Sequence, residues 1–283
     1  MKTKFILVIG FFISFSSAIA QYDEVFNYLK PMDSFQGEKN LPADEKRKLL
    51  FKALQDVGWD SDTMPMGENI AYYEEMLTSG DSMYLGMTPL DSLIHVVDLN
   101  GDNKQDIVFH VFNWGFGLYT GVFMNQGKKF TNFDFPATLF TGTTWDKNKL
   151  TGAMMMEIGC YMCFKQLKVC SVKEEKVNVI RNYNIYPYAW DRLELGKKGT
   201  YIKCNSKKIS LLKHDVGPNA NNFRGEEADE ATNKTRNKIT MKEDGYYLVE
   251  TYENYKFIIF RGTSENDDKT CDENYYCGWT KDL

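Results

Sequence analysis

The chain has 283 residues, 43% hydrophobic and 26% charged, with only 7 prolines and 21 glycines. That composition excludes a disordered, collagen-like or low-complexity polymer. A formal charge of −5 with no Lys/Arg-dense stretch argues against a nucleic-acid binder, and an aromatic share of 14% suits β-structure better than a helical bundle.

Residues 1–20 have the layout of an export signal. Lys2 and Lys4 form a basic start, an apolar run extends from Phe5 to Phe15, and Ala18-Ile19-Ala20 makes an A-x-A cleavage pattern ahead of Gln21. The apolar run is shorter than the roughly 20 residues a membrane span needs. The mature chain is therefore expected as an exported protein, periplasmic or extracellular, with no membrane span after cleavage.

Residues 21–80 are expected to form a helical cap lying on a sheet. A short helix is predicted from Asp23 to Leu29, ending before Pro31. The second starts at Leu41-Pro42-Ala43-Asp44-Glu45, with Asn40 as candidate cap and acids in its first turn. Leu50, Ala53, Leu54 and Val57 recur at helical spacing, and Gly58 is the stop. A third helix is predicted from Asn69 to Leu77.

From residue 81 the texture changes to short apolar and aromatic runs separated by Gly, Asn and Asp. Strands are predicted at Ile94 to Val97, Ile107 to Phe112, Gly121 to Met124, Lys128 to Phe135, Met154 to Ile158, Leu167 to Val172 and Val177 to Ile180. No helix-length periodic segment intervenes, which argues against a parallel βαβ sheet. A second, smaller β domain is expected over residues 186–283. It contains a polar loop, Gly217 to Arg236, and strands at Ile239 to Met241, Tyr246 to Thr251 and Tyr255 to Phe260. Its Asn233-Lys234-Thr235 is a glycosylation acceptor only in a eukaryotic secretory host.

All six cysteines lie after the signal, at 160, 163, 170, 204, 271 and 277. An even number in an exported chain points to disulfides. Fifteen connectivities are possible. Cys271–Cys277 is favoured because it would close a short polar loop. The Cys160/Cys163 CxxC lacks a second CxxC at zinc spacing and does not open a helix. It reads as structural thiols, not as zinc or redox chemistry.

The segment that carries chemistry is Asp98-Leu99-Asn100-Gly101-Asp102-Asn103-Lys104-Gln105-Asp106. Side-chain oxygens stand at loop positions 1, 3, 5 and 9. Ca²⁺ is a hard cation that takes six to eight oxygens, and alternate residues of a tight loop aim at a common centre. Position 7, Lys104, offers its carbonyl. Gly101 and Asn103 tolerate the backbone of a sharp turn. Position 12 is Phe109 where an EF-hand needs Glu, and the flanks are strands. A polar hairpin loop holding no ion is the competing reading.

This loop resembles the calcium loop of FG-GAP and VCBS-type repeats, close to D-x-[DN]-x-D-G-x-x-D-[LI]. Tyr119 to Phe130, with its Asn125-Gln126-Gly127 turn, looks like the outer strands of such a repeat, so the resemblance covers about residues 90–135. It implies side-chain ligands at Asp98, Asn100, Asp102 and Asp106 and a carbonyl ligand at Lys104, around a structural Ca²⁺. Asn103 stands where the family prefers Gly. Asp146 to Leu150 is at most a degenerate echo. One good motif implies a partial propeller-like or a sandwich-like β domain over residues 81–185, not a closed propeller.

The C-terminal pieces Gly199 to Lys203, Lys208 to Leu212, Asp244 to Val249 and Cys277-Gly278-Trp279-Thr280 resemble a bacterial SH3-like domain. That resemblance implies a small barrel and an aromatic groove for peptide or cell-wall material, which Tyr246, Tyr247, Tyr275, Tyr276 and Trp279 would line. Core packing is the competing reading for Tyr247 and Trp279.

No GxSxG, HExxH, P-loop or GxGxxG pattern occurs, and His95, His110 and His214 are few for acid–base work. His95 and His110 read as satisfied strand histidines. The expected architecture is mainly β with N-terminal helices: a β domain with the calcium loop, plus an SH3-like barrel. The expected role is a non-enzymatic binding protein for a peptide, glycan or envelope component. The second reading is a secreted, glycan-directed hydrolase, marked by a cleft with two carboxyls roughly 5–10 Å apart.

Overall fold

The computed structural model describes residues 24–30, 32–58, 90–113, 117–158, 165–173, 176–186, 193, 198–205, 207–212, 238–265, 267 and 271–283. The export signal, the third helix, Cys160, Cys163, His214 and the polar loop lie outside them. The described residues are mainly β. They fall into two compact units. One draws on residues 31–161 and 168–181, the other on residues 1–30, 162–167 and 182–283.

The first unit is built around strand β1 (Ile94–Val97), whose four residues are all buried. Neighbouring strand residues point to opposite faces, so a strand buried throughout must be covered on both sides. β1 pairs antiparallel with β2 (Asp106–Asn113), β2 with β3 (Gly117–Asn125), and β3 with β4 (Phe130–Asn132). On one face Ile94, Ile107, Phe109, Phe123 and Phe130 meet Leu50, Ala53 and Leu54 of helix α1 (Ala43–Asp56). On the other face Val97, Val108, Val122 and Met124 meet Phe140, Leu150, Ala153, Met155, Cys170 and Val172. These come from β5 (Leu139–Asp146), β6 (Lys149–Ile158) and β7 (Lys165–Lys173). The layers are helix, four-stranded sheet and second sheet, the sandwich-like alternative of the expected fold.

Helix α1 forms where the spacing of its apolar residues predicts it. Its N-terminus differs: Pro42 takes the cap position with no side-chain cap, so Asn40 does not serve as one. Proline fixes the φ that an entering helix needs and has no N–H to satisfy. Gly58 ends the helix with φ +70°. Asp56 at the helix end accepts the Phe130 N–H at 2.9 Å, which fixes α1 against β4.

In the second unit, β12 (Gly245–Tyr252), β13 (Tyr255–Thr263) and β14 (Glu273–Thr280) form a meander. β12 pairs with β9 (Thr200–Lys203), and β13 with β11 (Lys238–Met241), which pairs with β10 (Lys208–Ser210). The free edge of β14 takes β8 (Lys176–Ile185), whose residues from Asn182 onward belong to this unit. A small barrel would need that edge to close on the first strand. With β8 there, the sheets do not close into barrels among the described residues, and the barrel expectation is corrected to an open sheet. At Gly262, where β13 passes from β12 to β11, a Cβ would come 2.8 Å from Ile239 and 3.0 Å from the Thr240 carbonyl. Glycine is what lets the strands approach there.

No helix among the described residues is long and apolar enough to cross a membrane.

Candidate functional site

The loop from Asp98 to Asp106 joins two strands that cannot shift, because both faces of their sheet are packed. Gly101 (φ +77°) and Asn103 (φ +65°) both adopt left-handed backbone. Asparagine tolerates that region better than most residues, so Asn103 keeps the turn. Asp98 is the hub. Its Oδ1 accepts the N–H groups of Gly101 (2.8 Å) and Asp102 (3.2 Å), and its Oδ2 accepts that of Asn103 (2.8 Å). Asn100 Oδ1 accepts the Asp102 N–H at 3.0 Å. Asp102 Oδ1 accepts the Lys104 N–H at 2.9 Å, and its Oδ2 accepts the Lys104 ammonium at 2.7 Å. That ammonium holds the Asp102 carboxyl below the usual range.

Asp106 differs from the other three. It is fully buried, and its two oxygens accept the N–H groups of Leu99 (2.9 Å) and Asn125 (2.7 Å). It thereby ties the loop's start to the end of β3. Burial pushes its carboxyl up to about 6, and the charges of Asp102 and Asp98 push the same way against those two hydrogen bonds.

The structure thus brings Asp98, Asn100, Asp102 and Lys104 onto one turn and sets Asp106 beneath it. Among the described residues no three Asp, Glu, His or Cys side chains converge as a metal-holding group. The carboxylates here are organised by the loop's own N–H groups. The donor chemistry nonetheless fits a hard cation: carboxylate, amide and carbonyl oxygens, with lone pairs left on each oxygen that accepts one hydrogen bond.

The weak echo at Asp146 to Leu150 has a different role. It is the β5–β6 turn, with Lys147 at φ +54°, and it rests on the loop. The Leu150 N–H donates to the Leu99 carbonyl at 2.8 Å, and a Cβ placed on Gly101 would meet the Asn148 carbonyl at 3.6 Å. A cavity of about 360 Å³ opens beside them, lined by Leu99, Met124, Phe133 and Leu150 and by polar Asn100, Asp102 and Lys149.

His95 and His110 lie in adjacent strands, each 3% exposed, with ring centres 5.2 Å apart. His95 is satisfied as expected, its Nδ1 standing 3.1 Å from both oxygens of Glu38. His110 is not: its Nε2 is buried with no hydrogen-bond partner among the described residues. Burial pushes His110 down to about 3, and His95 adds to that against the pull of Glu38. Glu38 is the residue that sequence reasoning missed. It stands 57 positions before His95 in a segment with no pattern.

The expected aromatic groove is corrected. Tyr246, Tyr275, Tyr276 and Trp279 are all buried, Tyr183 stacks on Tyr275 at 4.9 Å and Phe257 packs on Trp279 at 5.4 Å. Alternate β14 residues serve two packed faces, so its aromatics become core. Among the described residues the exposed large aromatic is Tyr201, 46% exposed and edge-on to Tyr247.

The favoured disulfide is also corrected. No disulfide joins Cys271 and Cys277. The intervening residues form strand β14, not a loop. At about 3.3 Å per residue the strand separates the two Cα atoms far beyond the roughly 7 Å a bridge permits. Cys277 is buried, which pushes its thiol up, and the Cys271 thiol donates to the Glu273 carbonyl.

Compared with known proteins, the chain matches no family model, no curated protein and no solved structure.

Proposed function

We propose that this is an exported, non-enzymatic binding protein with a structural Ca²⁺ loop, and that its partner is a peptide, glycan or cell-envelope component. The observation that carries the calcium reading is the loop: Asp98, Asn100 and Asp102 on one left-handed turn, held between strands packed on both faces. In this reading Asp98, Asn100, Asp102 and Asp106 give side-chain oxygens and Lys104 its carbonyl. The cation supplies charge neutralisation. It relieves the repulsion that Asp98 and Asp102 impose on buried Asp106, and it displaces the Lys104 ammonium from Asp102. The resemblance to FG-GAP and VCBS-type repeats supports the same ligand set.

The test is thermal unfolding of residues 21–283 in millimolar Ca²⁺ and in chelator, repeated on Asp98→Ala/Asp102→Ala. A tenfold excess over Kd stabilises by about 1.4 kcal/mol, or roughly 3–6 °C for a chain of this size. A shift in the native chain and none in the variant supports the reading. Superimposed native curves remove calcium from it.

A further inference from the structure

A second group of titratable side chains lies inside the first unit, where residues 32–39 form a strap. The Met32 N–H donates to the Phe140 carbonyl of β5 at 3.0 Å, and the Lys39 N–H donates to the Val96 carbonyl of β1 at 2.9 Å. The strap is thus bonded to both sheets of the sandwich. Between those two bonds it turns tightly at Gly37, φ +74°. The Glu38 N–H donates to the Phe35 carbonyl, and the Phe35 N–H donates to Glu38 Oε2 at 3.0 Å. Phe35, 4% exposed, is driven inward with its ring edge-on to Phe140 (5.2 Å) and to His95 (5.1 Å). The Glu38 carboxylate faces inward too. It meets His95 on one side and the Lys46 ammonium of α1, 3.8 Å away, on the other.

Behind the strap stands His110. The groups that face it are the His95 imidazole from β1 at 5.2 Å and the Phe140 ring from β5 at 6.2 Å, with Glu38 acting on it from the strap. None offers its Nε2 a hydrogen bond. A proton added there while the strap is down would have no acceptor and would sit beside a second imidazole. Such a charge is costly in a dry core.

We propose that the strap is a proton-operated clasp: acid releases residues 32–39 from the two sheets, because His110 can take up a proton only when the strap lifts and lets water in.

The sign follows from two groups of this cluster, His110 and Glu38. His110 is held down at about 3 with the strap closed and returns to the ordinary 6.5 when it opens. For Glu38, burial alone would raise the carboxyl. The hydrogen bonds from His95 and the Phe35 N–H, with the charges of His95 and Lys46, outweigh burial and hold it below 4.5. Both groups bind a proton more readily open than closed. The closed form is therefore fully favoured above pH 6.5 and is lost progressively as pH falls towards 3. One proton taken up by His110 raises the open fraction about tenfold between pH 7.5 and 5.5.

Hydrogen exchange read by mass spectrometry tests this on the whole mature chain, with Ca²⁺ fixed at 1 mM and rates corrected for the intrinsic effect of pH. The expected result is a roughly tenfold loss of protection in peptides covering residues 32–39 at pH 5.5 against pH 7.5. Peptides from Tyr255–Thr263 should keep theirs. His110→Leu, which removes the titrating ring without breaking a hydrogen bond to its Nε2, should show equal strap protection at both pH values. Equal protection in the native chain overturns the clasp, and so does a loss shared equally by Tyr255–Thr263, which would be global unfolding. A pH response that survives in His110→Leu overturns the assignment to His110. If that variant does not fold, the two native comparisons still decide the matter.

Discussion

Strands β1 and β2 carry two polar regions built on opposite principles. The loop between them gathers three carboxylates, and nearly every oxygen has an N–H or ammonium partner within a few residues. The imidazoles within them are buried among phenylalanines. One is satisfied by a carboxylate 57 positions away, and the other keeps an orphan nitrogen. The difference teaches where polar groups become switchable. A charge answered by local backbone is stable wherever the turn forms. A polar atom buried without an answer makes the surrounding contacts depend on its protonation state.

The largest expected effect that would break this contrast is on the wall of the imidazole pair. Phe140→Ala removes a ring that Phe35, Phe135 and His110 all touch, and it should cost about 3–5 kcal/mol in urea unfolding. A loss below about 1 kcal/mol would mean that the imidazole region is not a packed core. Asp106→Ala comes next. It strands the buried N–H groups of Leu99 and Asn125 and should cost about 2–3 kcal/mol even in chelator. If the cost disappears without calcium, Asp106 is a metal ligand only and does not stabilise the fold through the Leu99 and Asn125 N–H groups.

The third effect is in pH. Native stability should fall by about 1 kcal/mol from His110 between pH 6.5 and 5.5, since the unfolded chain takes a proton that the folded one refuses. Denaturant midpoints of native chain and His110→Leu across that window check the slope, which should flatten in the variant. The smallest effect is at Lys104. Its ammonium pairs with Asp102 at the surface, so Lys104→Ala should leave the melting midpoint in chelator unchanged. In titration calorimetry the same variant should bind Ca²⁺ severalfold more tightly, because no ammonium has to leave Asp102. Weaker binding would show that Lys104 contributes more than its carbonyl.

What was legible in the sequence follows the same division. The Asp98–Asp106 spacing, the Leu50/Ala53/Leu54 helix face and most strands are patterns of period 2 or 3.6 or of fixed offset, and they appear where local chemistry places them. Strand β5 was missed because its Thr- and Gly-rich run, Leu139 to Asp146, alternates poorly. The Cys271 bridge and the aromatic groove failed for one reason. Both read the residues around Tyr275 as surface, while β13 and β8 pair on either side of β14 and bury it. Glu38 was invisible because its partner is set by tertiary contact alone. So was the role of Asp146 to Leu150, whose residues resemble a failed metal motif but serve as a prop.

That prop has a kinetic consequence. The Asp98–Asp106 hydrogen bonds close within nine residues, whereas the Leu150 N–H reaches the Leu99 carbonyl across some fifty. Short closures form early on a folding path and long ones late, because each must first overcome the entropy of its loop. The loop can therefore be shaped before the β5–β6 turn arrives. Substitutions in that turn should then speed unfolding and leave the refolding rate nearly unchanged.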